Sequence, residues 1–538
     1  MSLPPAARPA PREPSRRRRR LADLAVLLAV ATVAAAIFFN HLGRDPLQGD
    51  EGIHALVALS SAEGDWLPLR IGDEPYLGKP PLKVLGQAAL FRAFGASELT
   101  ARWIDAACGV GTVAVVWAFG AWVWGRAAGA LAALLLAGTP QYLFRHGVRE
   151  GVQDSALVLF TGLTLTLYFV AAERRRAGRP WRGWAGGAGA AGGAAILTKG
   201  AVALLAVAAA AVYEAIAALS PAGPRGGWRR RLAGIALLGG LTCAPFVPWL
   251  LYLHGVTDGR YLRHLRRDWV TRATESIDPG HVHGPAFYLD SLWRDFGPWL
   301  ILGVLSLATF GGSGGPPGRS RSAAGRRAVA YLWVWAVVLV ALPSLSVSKL
   351  WWYIYPAYPA IALLVGAGAA ELARAALAVA RRVLPGRRLV AAAAAVAAVA
   401  LALAPPLVQR LRDAWTRTET PSEDLPVREF VRAYRKLDEA RIFIRRSALV
   451  SPWNVYYLAP LDRPRWRPPD GFWDDDDGAC RFVVRRRARA APSEGAPAPR
   501  DLPAIPLTGW QREVEGYVID VDGCLPHLAR PLGELRGP

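Results

Sequence analysis

Two carboxylates, Asp50 and Glu51, stand shortly beyond the apolar run Leu21 to Phe39, and Tyr76, Lys79 and the Pro80-Pro81 pair follow in the same hydrophilic stretch. Ionised groups are expensive in lipid, so carboxylates this close to a membrane-length run sit either in headgroup water or in a protein cavity. In a cavity, a carboxylate can take the proton from an attacking hydroxyl, and a fixed cation beside it can stabilise an anion that the attack releases. Lysine usage points the same way. Of 64 basic residues, only Lys79, Lys83, Lys199, Lys349 and Lys436 are lysine. Four of them fall at expected outer ends of helices, where arginine could snorkel equally well. A compact ammonium there suits a phosphate group. Lys83 takes no role from this pattern.

The elements that must hold these groups are set by the distribution of apolar residues. They make up 53% of the 538-residue chain and come in long runs such as Ala127 to Ala137, Gly186 to Leu197 and Leu389 to Ala404, the mark of a polytopic membrane protein. The net charge of +22 would suit nucleic acid if it were spread along a soluble face. Instead the arginines cluster in short gaps between apolar runs, at 16–20, 174–182, 225–231, 319–327 and 374–388, as cytoplasmic loops do. This pattern argues against a nucleic-acid partner. With the N-terminus inside, the length rule predicts about eleven crossings, in a core of about 11 to 13 helices. Segments 40–100, 144–153, 255–296 and 344–350 then face outward. The arginines before the first run are followed by no small-residue cleavage site, which predicts a retained signal anchor.

The expected organisation is a disordered basic cytoplasmic lead at 1–20, a transmembrane core at 21–408 and a soluble extracytoplasmic domain at 409–538. Gly311 to Gly325 reads as a flexible inner loop. Strand-like runs at Ala440 to Ile444, Arg481 to Val484 and Val514 to Val521, with a helical stretch at Val427 to Leu437, predict a small α/β fold for the tail. Cys108 and Cys243 read as packing residues. Cys480 and Cys524 could pair in an oxidising compartment. The Asp474 to Asp477 run reads as a solvated acidic loop rather than a calcium site.

The order of the polar groups resembles the lipid-carrier glycosyltransferases that include bacterial lipid A aminoarabinose transferase and the protein O-mannosyltransferases. Gly64-Asp65-Trp66, Pro68, Tyr76 and Lys79-Pro80-Pro81 follow the acidic pair, as in that family's first outer loop. Arg149 to Asp154 (REGVQD) is similar to its second acidic motif, with Asp154 at the matching position. Ile196 to Gly200 (ILTKG) resembles a further segment, followed by Pro248-Trp249 and by a second outer loop that carries Arg272, His281, His283 and Tyr288. Ser344 to Pro359 is similar to a late motif in which a lysine precedes a tyrosine-proline pair. The likeness covers roughly 40 to 365.

The resemblance implies a mainly α, polytopic membrane helix bundle of GT-C type in a bacterial inner membrane. It implies inverting transfer of a sugar from a polyprenyl-phosphate donor to lipid A, a surface glycan or a protein. Asp50, Glu51 and Asp154 are the candidate catalytic residues, with Asp50 as base and Asp154 orienting a cation or the acceptor. Lys79, Arg272, Lys199 and Lys349 are candidates for the donor phosphate, and Tyr76, His283, Tyr288 and Tyr353 for substrate contacts. Some relatives carry a metal-holding glutamate just before the motif lysine. Here that residue is Gly78, which puts metal dependence in doubt and leaves His281 and His283 without a carboxylate partner. No cofactor is assigned. Ile53 and His54 also depart from the aminoarabinose transferases, so their acceptor does not carry over, and His54 reads as an interfacial histidine. A rival class, a polytopic transporter or flippase of a lipid-linked substrate, calls for an internal repeat and charges across the bilayer midplane. Neither is visible in the sequence.

Overall fold

The computed structural model describes residues 16–45, 47, 50–71, 74–219, 227–275, 279–310, 322–384, 386–417 and four strands between 441 and 522. Lys436, Cys480, Cys524, the expected helix at Val427 to Leu437, the Asp474 to Asp477 run, most of the lead and most of the Gly311 to Gly325 loop lie outside the described residues.

The described residues form a helix bundle. The first helix, α1 (Arg16–Phe39), leads to α2 (Asp50–Glu63), a two-residue ribbon of β1 (Arg70–Ile71) with β2 (Glu74–Pro75), and α3 (Pro81–Phe94). The stretch expected as an outer loop at 40–100 is therefore largely helical. Long helices follow: α4 (Glu98–Val123), α5 (Arg126–Ala137), and α7 (Asp154–Arg176) after the one-turn α6 (Pro140–Phe144). A capping box between Ser97 and Thr100 starts α4 by satisfying its first free N–H groups. Next come α8 (Arg182–Lys199), α9 (Leu204–Leu219), α10 (Trp228–Cys243) and α11 (Phe246–Val256). The second expected loop, 255–296, is a chain of short helical pieces: α12 (Arg260–Leu265), a π-turn at Arg266–Thr271, α13 (Arg272–Thr274) and α14 (Phe287–Phe296). The bundle ends with α15 (Trp299–Leu305), α16 (Ala323–Ser344), α17 (Tyr358–Val383) and α18 (Arg388–Thr416). The last of these runs through Pro405-Pro406 and past residue 408, the expected edge of the core.

Among the described residues, eight segments are long and apolar enough to cross a membrane, and two shorter apolar helices, Arg126–Ala137 and Trp299–Thr309, accompany them. One of the eight, Arg182–Leu219, is two helices running in opposite directions. Gly200, with φ +75°, ends α8. Lys199 at that end pairs with Asp154, the first residue of α7, whereas Glu214 near the end of α9 pairs with Arg175 near the end of α7. The chain thus turns back at Gly200 and defines two ends of the bundle. One end gathers arginines, with Glu214 held by Arg175 and Arg231 and with Arg327 on Glu173. The other carries Asp50, Asp154 and Lys199. Close packing of small residues draws the helices together: a Cβ on Gly120 of α4 would lie 2.6 Å from Gly129 Cα of α5.

In the tail, β3 (Arg441–Ile444) pairs parallel with β4 (Arg481–Arg486). Strand β4 pairs antiparallel with β6 (Tyr517–Asp522), and the short β5 (Ala504–Ile505) lies on the other side of β6. The described residues of the three runs read as strands in the sequence are strands.

A buried clamp fixes the non-arginine end. Arg102 of α4 donates from Nε and Nη2 to the two Glu51 carboxylate oxygens at 2.7 and 2.9 Å, and from Nη1 to the carbonyls of Leu42 and Asp45 at 3.0 and 2.8 Å. The Gly151 N–H donates to Glu51 Oε1 at 2.6 Å, and Lys83 of α3 donates to the Gly151 carbonyl at 2.7 Å while lying 2.9 Å from Asp105. Removing one partner of such a pair strands a buried charge. Arg102→Met should therefore lower the unfolding free energy by about 3–5 kcal/mol, read as a lower midpoint in denaturant titration of the detergent-purified protein. An unmoved midpoint would show that the clamp contributes little to stability.

Candidate functional site

A cavity of about 380 Å³ opens at this end, between the start of α2, the Lys79 loop, the start of α7, the α8–α9 turn, the π-turn and the segment from Leu342 to Tyr353. Asp50 is the first residue of α2, where the helix dipole favours a carboxylate, and it is half-buried on the cavity wall. Lys79 lines the same cavity from the loop before α3. Glu51, one position along the helix, points the other way. Both its oxygens are engaged by Arg102 and Gly151, so of the acidic pair it is Asp50 that faces the cavity.

Asp154 and Lys199 meet on the cavity wall, the ammonium donating to Asp154 Oδ1. Asp154 Oδ2 lies 3.8 Å from His146 Nδ1, and the His146 ring stacks on Trp352 at 3.7 Å with an interplanar angle of 7°. The carboxylate is thus held by an ammonium on one oxygen, which suits orienting a cation better than abstracting a proton. Tyr353, also expected, lines the cavity next to Trp352.

Other expected residues stand elsewhere. Lys349 donates to the Ser346 carbonyl at 2.7 Å, and although its neighbours Ser346 and Leu350 line the cavity, it does not. Tyr288 is buried in the bundle core away from the cavity. His283 stacks on Phe287 at 4.1 Å, and the His281 carbonyl accepts the Lys349 N–H at 2.8 Å. Neither histidine lines the cavity, so none of Lys349, Tyr288, His281 and His283 reaches it. Arg272 opens α13, and its side chain lies outside the described residues.

Tyr76 does not line the cavity; it packs against the apolar cluster of α2 and α3, its hydroxyl 2.6 Å from where a Cβ on Gly78 would sit. Burial raises the Tyr76 pKa, and the nearby Asp50 and Asp268 charges add to the shift, so it stays a neutral phenol. A glutamate in place of Gly78 would require this ring to shift. Among the described residues, no three His, Cys, Asp or Glu side chains gather in a metal-holding group.

Sequence reasoning missed several cavity residues. His54 is buried and lines the cavity rather than lying at an interface. Gln153, His146, Trp352, Asp268 and Trp269 line it too. Gln153 and Trp352 fall inside segments already singled out, REGVQD and the late lysine-tyrosine motif, where attention went to the charged and tyrosine positions. Lys83, left without a role, is a buried partner of Asp105.

Residues 78–252, about a third of the chain, match the family model described as dolichyl-phosphate-mannose-protein mannosyltransferase. No curated protein sequence matches significantly. Among solved structures, ArnT from Cupriavidus metallidurans bound to undecaprenyl phosphate is 19% identical with a TM-score of 0.63, over 94% of this chain and 98% of that one. Its apo form is 18% identical with a TM-score of 0.64, over 97% and 100%. The archaeal oligosaccharyltransferase AglB from Archaeoglobus fulgidus, in complex with an inhibitory peptide and a dolichol-phosphate, is 14% identical with a TM-score of 0.56, over 87% and 70%. The chain shares the GT-C type fold of these proteins, in line with the resemblance carried by its motifs.

Burial, followed by the charges of Lys83 and Lys79, holds the His54 pKa well below its ordinary 6.5. The folded protein therefore keeps His54 neutral, while the unfolded chain takes up a proton as pH falls through about 6.5. The stability from this difference is present above that value and is lost as pH falls below it. Acidification from about pH 7 to 5 should lower the thermal midpoint, and His54→Gln should flatten that dependence. An unchanged slope in the variant would place the proton uptake elsewhere.

Proposed function

We propose that this protein is an integral-membrane inverting glycosyltransferase that moves a sugar from a polyprenyl-phosphate donor to an envelope acceptor, with Asp50 as general base. The observation that carries this reading is the shared cavity: a half-buried carboxylate, the ammonium of Lys79 and the Asp154–Lys199 pair face one volume whose remaining wall includes Leu205, Leu342 and Pro343. The polar part suits a sugar phosphate and the apolar part the start of a lipid chain. The mannosyltransferase family match over 78–252 and the lipid-phosphate-bound relatives of the same fold support it.

The step follows from the groups present. An acceptor hydroxyl gives its proton to Asp50 as its oxygen bonds to the anomeric carbon. The bond from that carbon to the phosphate oxygen breaks on the opposite face, inverting the centre, and its electron pair leaves with the polyprenyl phosphate. The phosphate gains charge as the bond breaks, so Lys79 stabilises the transition state more than the ground state. Asp154 holds Lys199 charged and in place, and Arg272 on the neighbouring α13 is a third candidate cation. The acceptor class is lipid A, a surface glycan or a protein, and the transferred group a hexosyl or pentosyl. In this reading the arginine end faces the cytoplasm of a bacterial inner membrane, and the cavity and the tail lie outside.

Asp50→Asn keeps size and removes the base. Transfer by the purified variant should drop by at least about a hundredfold while donor binding persists; near-normal turnover would exclude Asp50 as base. Lys79→Met removes the charge and keeps much of the stem. Its single-turnover rate at saturating donor should fall more than donor affinity does, and an unchanged rate would reduce Lys79 to binding alone.

A further inference from the structure

A second cavity, of about 560 Å³, shares no lining residue with the first. It lies at the same end of the bundle, between the end of α5, the α14–α15 junction and the last turns of α18. Three guanidinium groups, of Arg294, Arg410 and Arg417, line it, against one carboxylate, Asp413. That carboxylate already accepts from Gln409 Nε2 at 2.6 Å. Asp295 lies beneath, its oxygens taken by the Tyr358 hydroxyl at 2.5 Å and the Gln141 N–H at 3.0 Å. Arg294 pairs with Asp290 at 2.5 Å, but both side chains are more than half exposed, where such a pair holds weakly.

The arginines are placed by the fold. Arg410 Nη2 donates to Thr139 Oγ1 at 3.0 Å and to the Asp295 carbonyl, while its Nε is buried without an acceptor. Arg417 lies over the Phe144 ring, 4.7 Å from its centre. Two cations are thus held at one cavity, one with an N–H still to be satisfied, and the guanidinium groups lining it outnumber its one carboxylate, Asp413.

The neighbourhood is a lipid one. The outer surface of α18 exposes Val396, Leu401 and Val408, and that of α15 exposes Ile301 and Val304. Arg410 and Arg417 follow where the apolar run of α18 ends, and Trp293 and Trp299 stand at the cavity in the amphipathic position typical of a headgroup belt. We propose that this cavity binds the phosphate of an anionic glycerophospholipid, with its acyl chains lying along α15 and α18. The net positive lining favours an anionic headgroup over a zwitterionic one.

The test is native mass spectrometry of the full-length protein in mild detergent, titrated with phosphatidylglycerol and, separately, phosphatidylcholine. Wild type should retain a phosphatidylglycerol adduct in preference to phosphatidylcholine, and Arg410→Gln should weaken it roughly tenfold, the loss expected of a charged hydrogen bond. Because Arg410 also ties α18 to Thr139, the exposed pair Arg294→Gln/Arg417→Gln provides a variant that leaves those bonds in place and should weaken the adduct likewise. Equal retention by that double variant, equal affinity for phosphatidylcholine, or no adduct on the full-length chain would each overturn the proposal. So would full displacement by inorganic phosphate, which would assign the cavity to a free anion.

Discussion

The peptide of Gly151 is held from both sides by buried charge, and the geometry of the cavity follows from it. Its N–H is fixed by Glu51 at the start of α2 and its carbonyl by Lys83 of α3, while Arg102 of α4 and Asp105 hold those two partners in turn. Four elements remote in sequence thereby meet at one backbone unit. Burying so many ions is costly unless every one is paired, and such arrangements serve position better than stability. What they position is Asp50, adjacent to Glu51, and Asp154, three residues after Gly151. Both Asp50 and Asp154 thus stand close to a locked residue.

Lys199 shows a second way of placing charge. It sits where the chain reverses between two antiparallel helices, α8 and α9, so its ammonium comes to the cavity while Gly200 takes the left-handed backbone that the reversal needs. Irregular backbone at such a reversal is tolerated in membranes where it lines a cavity.

Much of this was legible in the sequence. Apolar run lengths gave the bundle, arginine gaps gave the end away from the site, and the rarity of lysine singled out Lys79 and Lys199. Alternation of apolar residues marked the tail strands. What stayed hidden has a physical cause in each case. The 40–100 segment reads as a loop because its helices, α2 and α3, are short and polar at their ends, and their apolar faces pack on the bundle rather than on lipid. Glu51 and Asp50 are adjacent in sequence, yet successive helical residues point about 100° apart, so one faces the cavity and the other the clamp. His54, one turn further on, returns to the cavity side. Lys349 and Tyr288 sit in segments of the right kind, but the direction of a side chain in a loop of short helical pieces is set by packing that no spacing rule encodes.

The contact between Tyr76 and Gly78 bears on how sites of this kind change over evolutionary time. A glutamate at 78 meets the phenol before it meets any ion, so the Tyr76 ring must first shift to admit it. A smaller residue at 76 would open the space, yet without the glutamate it leaves only a void. The effect of a change at either position thus depends on the residue at the other, which makes the pair epistatic. The two positions, only two residues apart in the chain, are therefore expected to change together rather than one at a time.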